Sequence, residues 1–272
     1  MTASASINLA RPADAFDLVA QSYDEMFTES VIGQAQRRQV WRRLLAAFAT
    51  GEHVLELNCG TGEDARFLGS HGRLVTACDA SAGMIEVAVA RSQRVNPSVV
   101  AFHQLANEDL GDLPQQVLFD GAFSNFSGLN CVADLRAIAG HLAPRVKPGG
   151  KVLLCLWNRV CPAEIVWYLL HGQLRKAFRR FSHNSTARIG ERTISVFYPS
   201  ARHVQRAFAP SFALERLAAI GLFVPPTYFG EWATNHAKAL RRLDRFDEVF
   251  AEWPMLRILG DHVLLEFKRC TR

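Results

Sequence analysis

A doubly wound α/β fold is predicted, with a mostly parallel seven-stranded sheet, N-terminal helices and a helical cap insertion. Three observations predict it. Residues 54–57 form a short apolar, β-favouring run that leads into the glycine turn Asn58-Cys59-Gly60-Thr61-Gly62, after which Ala65, Phe67 and Leu68 fall at helical spacing. A second such run, 74–78, ends on Asp79, at about the 20-residue separation that sets an acidic side chain against a ribose. Further strand-length runs at 99–105, 119–126 and 151–157 follow, separated by stretches with helical signals.

The remaining elements follow in order. Residues 1–12 are small and polar, and 16–26 contain Ala20-x-x-Tyr23-Asp24 ahead of an amphipathic helix at about 31–48. After Asp79 a helix runs from 83 to about 94, ended by Asn96-Pro97. Residues 134–146 form the next helix, and Lys147-Pro148-Gly149-Gly150 turns into the strand at 151–157. A helix at 202–220, a strand around 226–229 and an extra helix at about 232–250 are expected before the last strand, 262–268, which alternates apolar and polar residues. These elements divide the chain into an N-terminal helical lid (1–50), a ligand-binding core (51–157), a substrate-cap insertion (158–200) and a C-terminal part of the core sheet (201–272).

Composition narrows the class. With 272 residues and 49% apolar content the chain can bury a large core, and a net charge of +5 permits an anionic partner without requiring one. The six cysteines are scattered with no Cys-x-x-Cys pair, which indicates neither a zinc site nor a disulfide framework. The first residues lack a basic-then-apolar signal and no apolar run approaches 18 residues, so a cytoplasmic protein without stable membrane insertion is expected.

Gly60-x-Gly62-x-x-Ala65 also satisfies a dinucleotide fingerprint, so charge has to choose the ligand. A pyrophosphate needs the free N–H groups of a helix N-terminus, and here Glu63 and Asp64 occupy that first turn. Carboxylates there favour a phosphate-free cofactor with a cationic centre. At these residues the chain resembles a known family. Glu56-Leu-Asn58-Cys-Gly60-Thr61-Gly62 is similar to the glycine-rich motif I of class I S-adenosylmethionine-dependent methyltransferases of the small-molecule type, and Asp79-Ala80-Ser-Ala-Gly-Met84 to their motif II. Asn58 stands where the family has its first glycine, and Asn is among the residues best able to adopt a positive φ.

The resemblance implies a Rossmann-like core, S-adenosyl-L-methionine as cofactor and a set of contacts. Glu56 would order the loop and the amino-acid end, Gly60 and Gly62 let the backbone pass the cofactor, and Asp79 hold the ribose. Ala80 and Met84 would border the adenine, with the loop Ala106-Asn107-Glu108-Asp109 beside it. Tyr23 would either face the sulfonium or pack its helix onto the sheet. Phe119-Asp120 resembles the start of motif IV, whose strand ends near the transferred methyl, making Ser124, Asn125 and Phe126 candidates for the floor of the reaction centre.

The insertion 158–200 lies outside that shared core. It pairs an apolar, aromatic helix from Cys161 to Leu170 with Arg175, Lys176, Arg179, Arg180, Arg188 and Arg192, and is read as a cap over a hydrophobic pocket that offers cations to an acidic group. A solvated basic face and a helix resting on anionic lipid are the alternatives. No spacing selects a general base among Glu164, Tyr168, His171, Tyr198 and His203. The expected function is methyl transfer to a small aromatic or lipophilic acceptor. An NAD-dependent oxidoreductase and a non-catalytic S-adenosylmethionine-binding module are the alternatives. A nucleic-acid substrate is disfavoured, because the chain lacks an Asn/Asp-Pro-Pro-aromatic signature and an aromatic-basic recognition domain; a homodimer is compatible with the sequence.

Overall fold

The computed structural model describes residues 9–92, 98–113, 117–182 and 185–271. The stretch 1–8 and Asn96-Pro97, the helix stop expected from sequence, lie outside them. Two helices lead, α1 (Pro12–Val19) and α2 (Val31–Ala47), joined by short 3-10 and π turns. Ser30 caps α2 by accepting from the Gly33 amide. Then β1 (His53–Leu57), α3 (Glu63–Ser70), β2 (Leu74–Asp79), α4 (Ala82–Arg91), β3 (Val100–Gln104), β4 (Phe119–Ser124), α5 (Leu135–Leu142) and β5 (Val146–Trp157) alternate. The insertion contributes α6 (Pro162–Leu170), α7 (Leu174–Ala177) and a hairpin of β6 (Ser185–Ile189) and β7 (Arg192–Val196). The chain closes with α8 (Ala201–Phe208), β8 (Phe212–Ile220), α9 (Gly230–Asn235), α10 (Ala237–Phe250) and β9 (His262–Arg269).

The large sheet has seven strands in the order β3-β2-β1-β4-β5-β9-β8. The first five are parallel, and β9 runs antiparallel between β5 and β8, with Trp157 opposite His262. The direction of strand succession reverses between β1 and β4, which opens a crevice at their carboxyl ends. Side-chain alternation splits the core in two. Leu55 and Leu57 join the layer under α5 and α8, while Val54 joins the layer under α2 and α3. Glu56, alternating with Leu55 and Leu57, therefore points to the α2–α3 side. No helix among the described residues is long and apolar enough to cross a membrane.

Three expectations are corrected here. Residues 212–220 are a strand, not the end of a helix begun at 202, and 227–229 are a 3-10 turn rather than the penultimate strand. The run Ala-Leu-Glu-Arg-Leu-Ala-Ala suits a helix locally, but pairing with β9 from Phe212 to Ile220 buries Phe212, Ala218, Ala219 and Ile220 and packs Leu214 and Leu217 against the core. The stop was visible in the sequence: Ala209 precedes Pro210, and α8 ends at Phe208. The insertion is likewise only half helical, since 185–196 fold back as a hairpin around Gly190, at φ 55°.

Candidate active site

Strand β1 delivers the chain into the turn 58–62. Asn58 and Gly60 both take left-handed backbone, with φ 55° and 53°, and a Cβ built on Gly60 would meet nothing within 4 Å, so its backbone is open to a ligand. Gly62 is needed for a different reason: a Cβ there would lie 2.6 Å from the Phe102 ring, so the glycine lets α3 settle against β3. At the end of β2, Asp79 is held by two amides, Oδ2 accepting from Gly60 at 2.8 Å and Oδ1 from Ser81 at 2.9 Å. Burial pushes this carboxyl up, and those amides oppose the shift.

These residues form one side of a cleft of about 1500 Å³, part of which is open to solvent. Tyr23, Asn58, Gly60, Thr61, Asp79, Ala80, Met84, Asn125 and Phe126 all line it. Gly62, Glu56, Ala106, Asn107 and Glu108 do not appear in its wall. Asn107 is buried and donates to Asn58 Oδ1 at 3.3 Å, bracing the turn from behind, whereas Glu108 is exposed. Glu56 is also buried, and its Oε2 has no hydrogen-bond partner. Burial, reinforced by the charge of Asp64, raises its pKa well above the carboxylate range, with Arg37 opposing. Tyr23 stands between Phe16 and Phe27, and burial pushes its phenol up to about 12, so it is neutral at physiological pH.

The first-turn acids do not meet a ligand as free charges, contrary to the charge argument from sequence. Asp64 is buried and accepts from Arg37 at 2.7 Å, Trp41 Nε1 at 2.6 Å and Asn125 Nδ2 at 2.9 Å. Glu63 is paired with Arg91 at 2.7 Å and Arg66 at 3.3 Å. Arg91 also holds Asp24, whose other oxygen accepts from Thr61 Oγ1 at 2.6 Å. The segment before α2 is thereby fastened across the glycine turn. Arg37 itself lies 4.7 Å from the centroid of the Phe126 ring and lines the cleft.

The rest of the wall is apolar. Ala15, Ile194 and Val196 are buried in one cluster with Phe16, Trp157 and Ile189, so α1 and the β6–β7 hairpin face each other beside the ends of β4 and β5. Among these groups stands His262, which sequence reasoning missed. It is 5% exposed, lies edge-on to Phe126 at 5.4 Å and is 6.3 Å from Trp157. Burial lowers its pKa to about 4, Arg180 adding to the effect and Asp261 opposing it, so the ring is neutral at physiological pH. None of Glu164, Tyr168, His171, Tyr198 and His203 lines the cleft. Glu164 is buried and receives Arg179, Arg180 and the Tyr228 hydroxyl. Arg180 also binds Asp261 at 2.7 Å, so of the cap cations expected to meet a substrate Arg180 is spent inside the protein, while Arg179 is held on Glu164 at the surface.

Comparison with known proteins supplies the family. Residues 54–150 match a methyltransferase-domain family model. A demethylmenaquinone methyltransferase of Thermobifida fusca is 32% identical over 183 residues, covering 63% of this chain and 73% of that protein. The chain belongs to the class I S-adenosylmethionine-dependent methyltransferases. A demethylmenaquinone methyltransferase of Clavibacter sepedonicus is 33% identical over 52% of this chain and 55% of its own length, so the methyltransferase spans about half the length of several curated relatives it matches. The fold is shared with an S-adenosylmethionine-dependent methyltransferase structure from Listeria monocytogenes, with a TM-score of 0.60 at 17% identity over 86% of this chain and 97% of that one. Membership in this family sets aside the oxidoreductase alternative, which the ion-paired acids alone no longer exclude.

Proposed function

We propose that this methyltransferase binds S-adenosylmethionine at the ends of β1 and β2 and methylates a small aromatic or lipophilic acceptor in the apolar part of the cleft. The observation that carries the reading is the continuity of the two parts: the wall passes from the Gly60 turn and Asp79 to Phe16, Trp157, Ile189 and Ile194 without a break. The residues fit the cofactor. Each Asp79 oxygen accepts one amide and retains a lone pair, which suits the two O–H donors of a ribose. Ala80 and Met84 offer an apolar edge to adenine, while Asn107 serves from behind the turn through its bond to Asn58. Asn58, Thr61 and the open backbone of Gly60 cradle the amino-acid end over Glu56, while Tyr23 and Phe126 bring aromatic faces to the cation. Gly62 serves by shaping the turn.

When bound, the sulfonium supplies an already activated methyl group. What the chain adds is alignment and exclusion of water, and positioning alone can lower a barrier by roughly 7–11 kcal/mol. Asn125, fixed by Asp64, and the Phe126 ring, fixed by Arg37, form a rigid floor for that alignment. His262 closes this floor as a neutral ring, and the burial that keeps it neutral also makes it a weak base, so it shapes the acceptor site rather than taking its proton.

Calorimetry tests the cofactor. The protein should bind S-adenosylmethionine and not NAD, and Asp79→Ala should weaken binding at least tenfold, the order expected for hydrogen bonds to a charged group. Tight NAD binding without heat from S-adenosylmethionine would reverse the assignment. For the acceptor, methyl-labelled cofactor incubated with a small-molecule extract should send label into the organic phase; label confined to nucleic acid or protein would overturn it.

A further inference from the structure

The outward face of the insertion carries a second, separate feature. The inward face of α6 is fully used: Glu164 is buried in its arginine cluster and Trp167 packs against Phe229 with centroids 4.4 Å apart. Its outward face is not. Val166, Leu169, Leu170, Leu174 and Phe178 are all exposed, Leu170 at 79% and Leu174 at 63%, and their spacing continues one stripe from α6 across Gly172 into α7. Arg175 and Lys176 project from the same tip with no carboxylate partner among the described residues. Residues 165–190 contain no Asp or Glu at all.

We propose that this tip docks on the surface of an anionic lipid bilayer. Lys176 rests over the Tyr168 ring at 5.8 Å, and apolar side chains interleaved with cations that meet no carboxylate match the boundary where acyl chains meet acidic headgroups, which an amphipathic helix enters to roughly 5–10 Å. The charge decides against a second copy of the chain. A two-fold pairing would set Arg175 and Lys176 of one copy against the same cations of the other. Each cation near an anionic surface is worth about fivefold in affinity. In the chain, the tip is followed by the 3-10 turn Arg179–Phe181 and then by the hairpin that walls the apolar part of the cleft.

Flotation of the full chain with vesicles tests this without any acceptor or cofactor. Binding is expected to phosphatidylcholine vesicles that contain phosphatidylglycerol, to be absent with phosphatidylcholine alone, and to fall as salt is raised. Arg175→Gln with Lys176→Gln should lower the affinity roughly 25-fold, and Leu170→Glu with Leu174→Glu should abolish it. Val89→Glu, at an exposed apolar site on α4, should bind as the parent does, and far-ultraviolet circular dichroism should be the same for all. The proposal is overturned if the parent ignores phosphatidylglycerol vesicles or if the double Leu variant still floats. It is equally overturned if sedimentation shows a dimer that the Leu variant dissolves in the absence of lipid binding.

Discussion

At Asp64 three donors converge on one buried carboxylate, and that changes what the residue does. In sequence it is an acid at a helix start; in the fold it is the anchor that holds Arg37, Trp41 and Asn125 around the cleft. His262 is the converse case, a residue without a motif that becomes a cleft-lining group because β9 starts there. Its burial has a measurable consequence. An imidazole free in the unfolded chain protonates near pH 6.5, while the folded ring waits until about 4. Across that window the unfolded chain takes up a proton that the folded chain refuses. The stabilisation is complete above 6.5 and drains away as pH falls toward 4, by up to about 3 kcal/mol. Urea unfolding at a series of pH values should show this decline, and His262→Gln should flatten that part of the curve.

Among the elements, the insertion is held down by buried ion pairs at α6 and by apolar packing at its hairpin. Arg180 binds Glu164 of α6 and Asp261 beside β9, and donates to the carbonyls of Asn158 and Asp261. Replacing it with Met leaves both carboxylates short of a buried partner, and Arg180→Met is expected to lower the unfolding free energy by about 3 kcal/mol in a denaturant titration. An unchanged midpoint would mean that Arg179 and Gln36 compensate fully. The same insertion shows where local reading stops. Its α6 was legible from the Pro162 start and the apolar run, but β6 and β7 were not. Ser185 to Val196 is a polar, basic stretch whose inward residues find an apolar neighbour only once α1 lies across them. Strand β8 was misread for a related reason: Leu214 and Leu217 fall on either side of a bulge, which breaks strand periodicity and leaves a run of helix formers.

For the whole molecule, the proposed cofactor bridges the N-terminal segment, the glycine turn and the strand ends, so its binding belongs to the folded state alone. At about 100 times its dissociation constant a ligand of the native state adds about 2.7 kcal/mol. S-adenosylhomocysteine is therefore expected to raise the melting temperature by about 5 °C for a domain of this size, while NAD should leave it unchanged. Scanning calorimetry with each ligand checks both. Much of this larger arrangement could be read in advance. The five parallel strands and the last strand, β9, follow from strand-length apolar runs separated by helices, whereas β8 does not, and the reversal at β1 and β4 locates the crevice.

By itself the sequence determined the five parallel strands and β9, the turn from Asn58 to Gly62 and Asp79 at its distance from that turn. Each of these depends on short-range properties: periodicity, the left-handed backbone that Asn and Gly accept, and the length of one β-α-β unit. Only the tertiary structure decided that Arg37 neutralises Asp64, that Arg180 is buried rather than offered to a substrate, and that His262 faces the cleft. Those outcomes depend on which charges share a low-dielectric interior, and groups far apart along the chain carry no local mark of the partner that burial will give them.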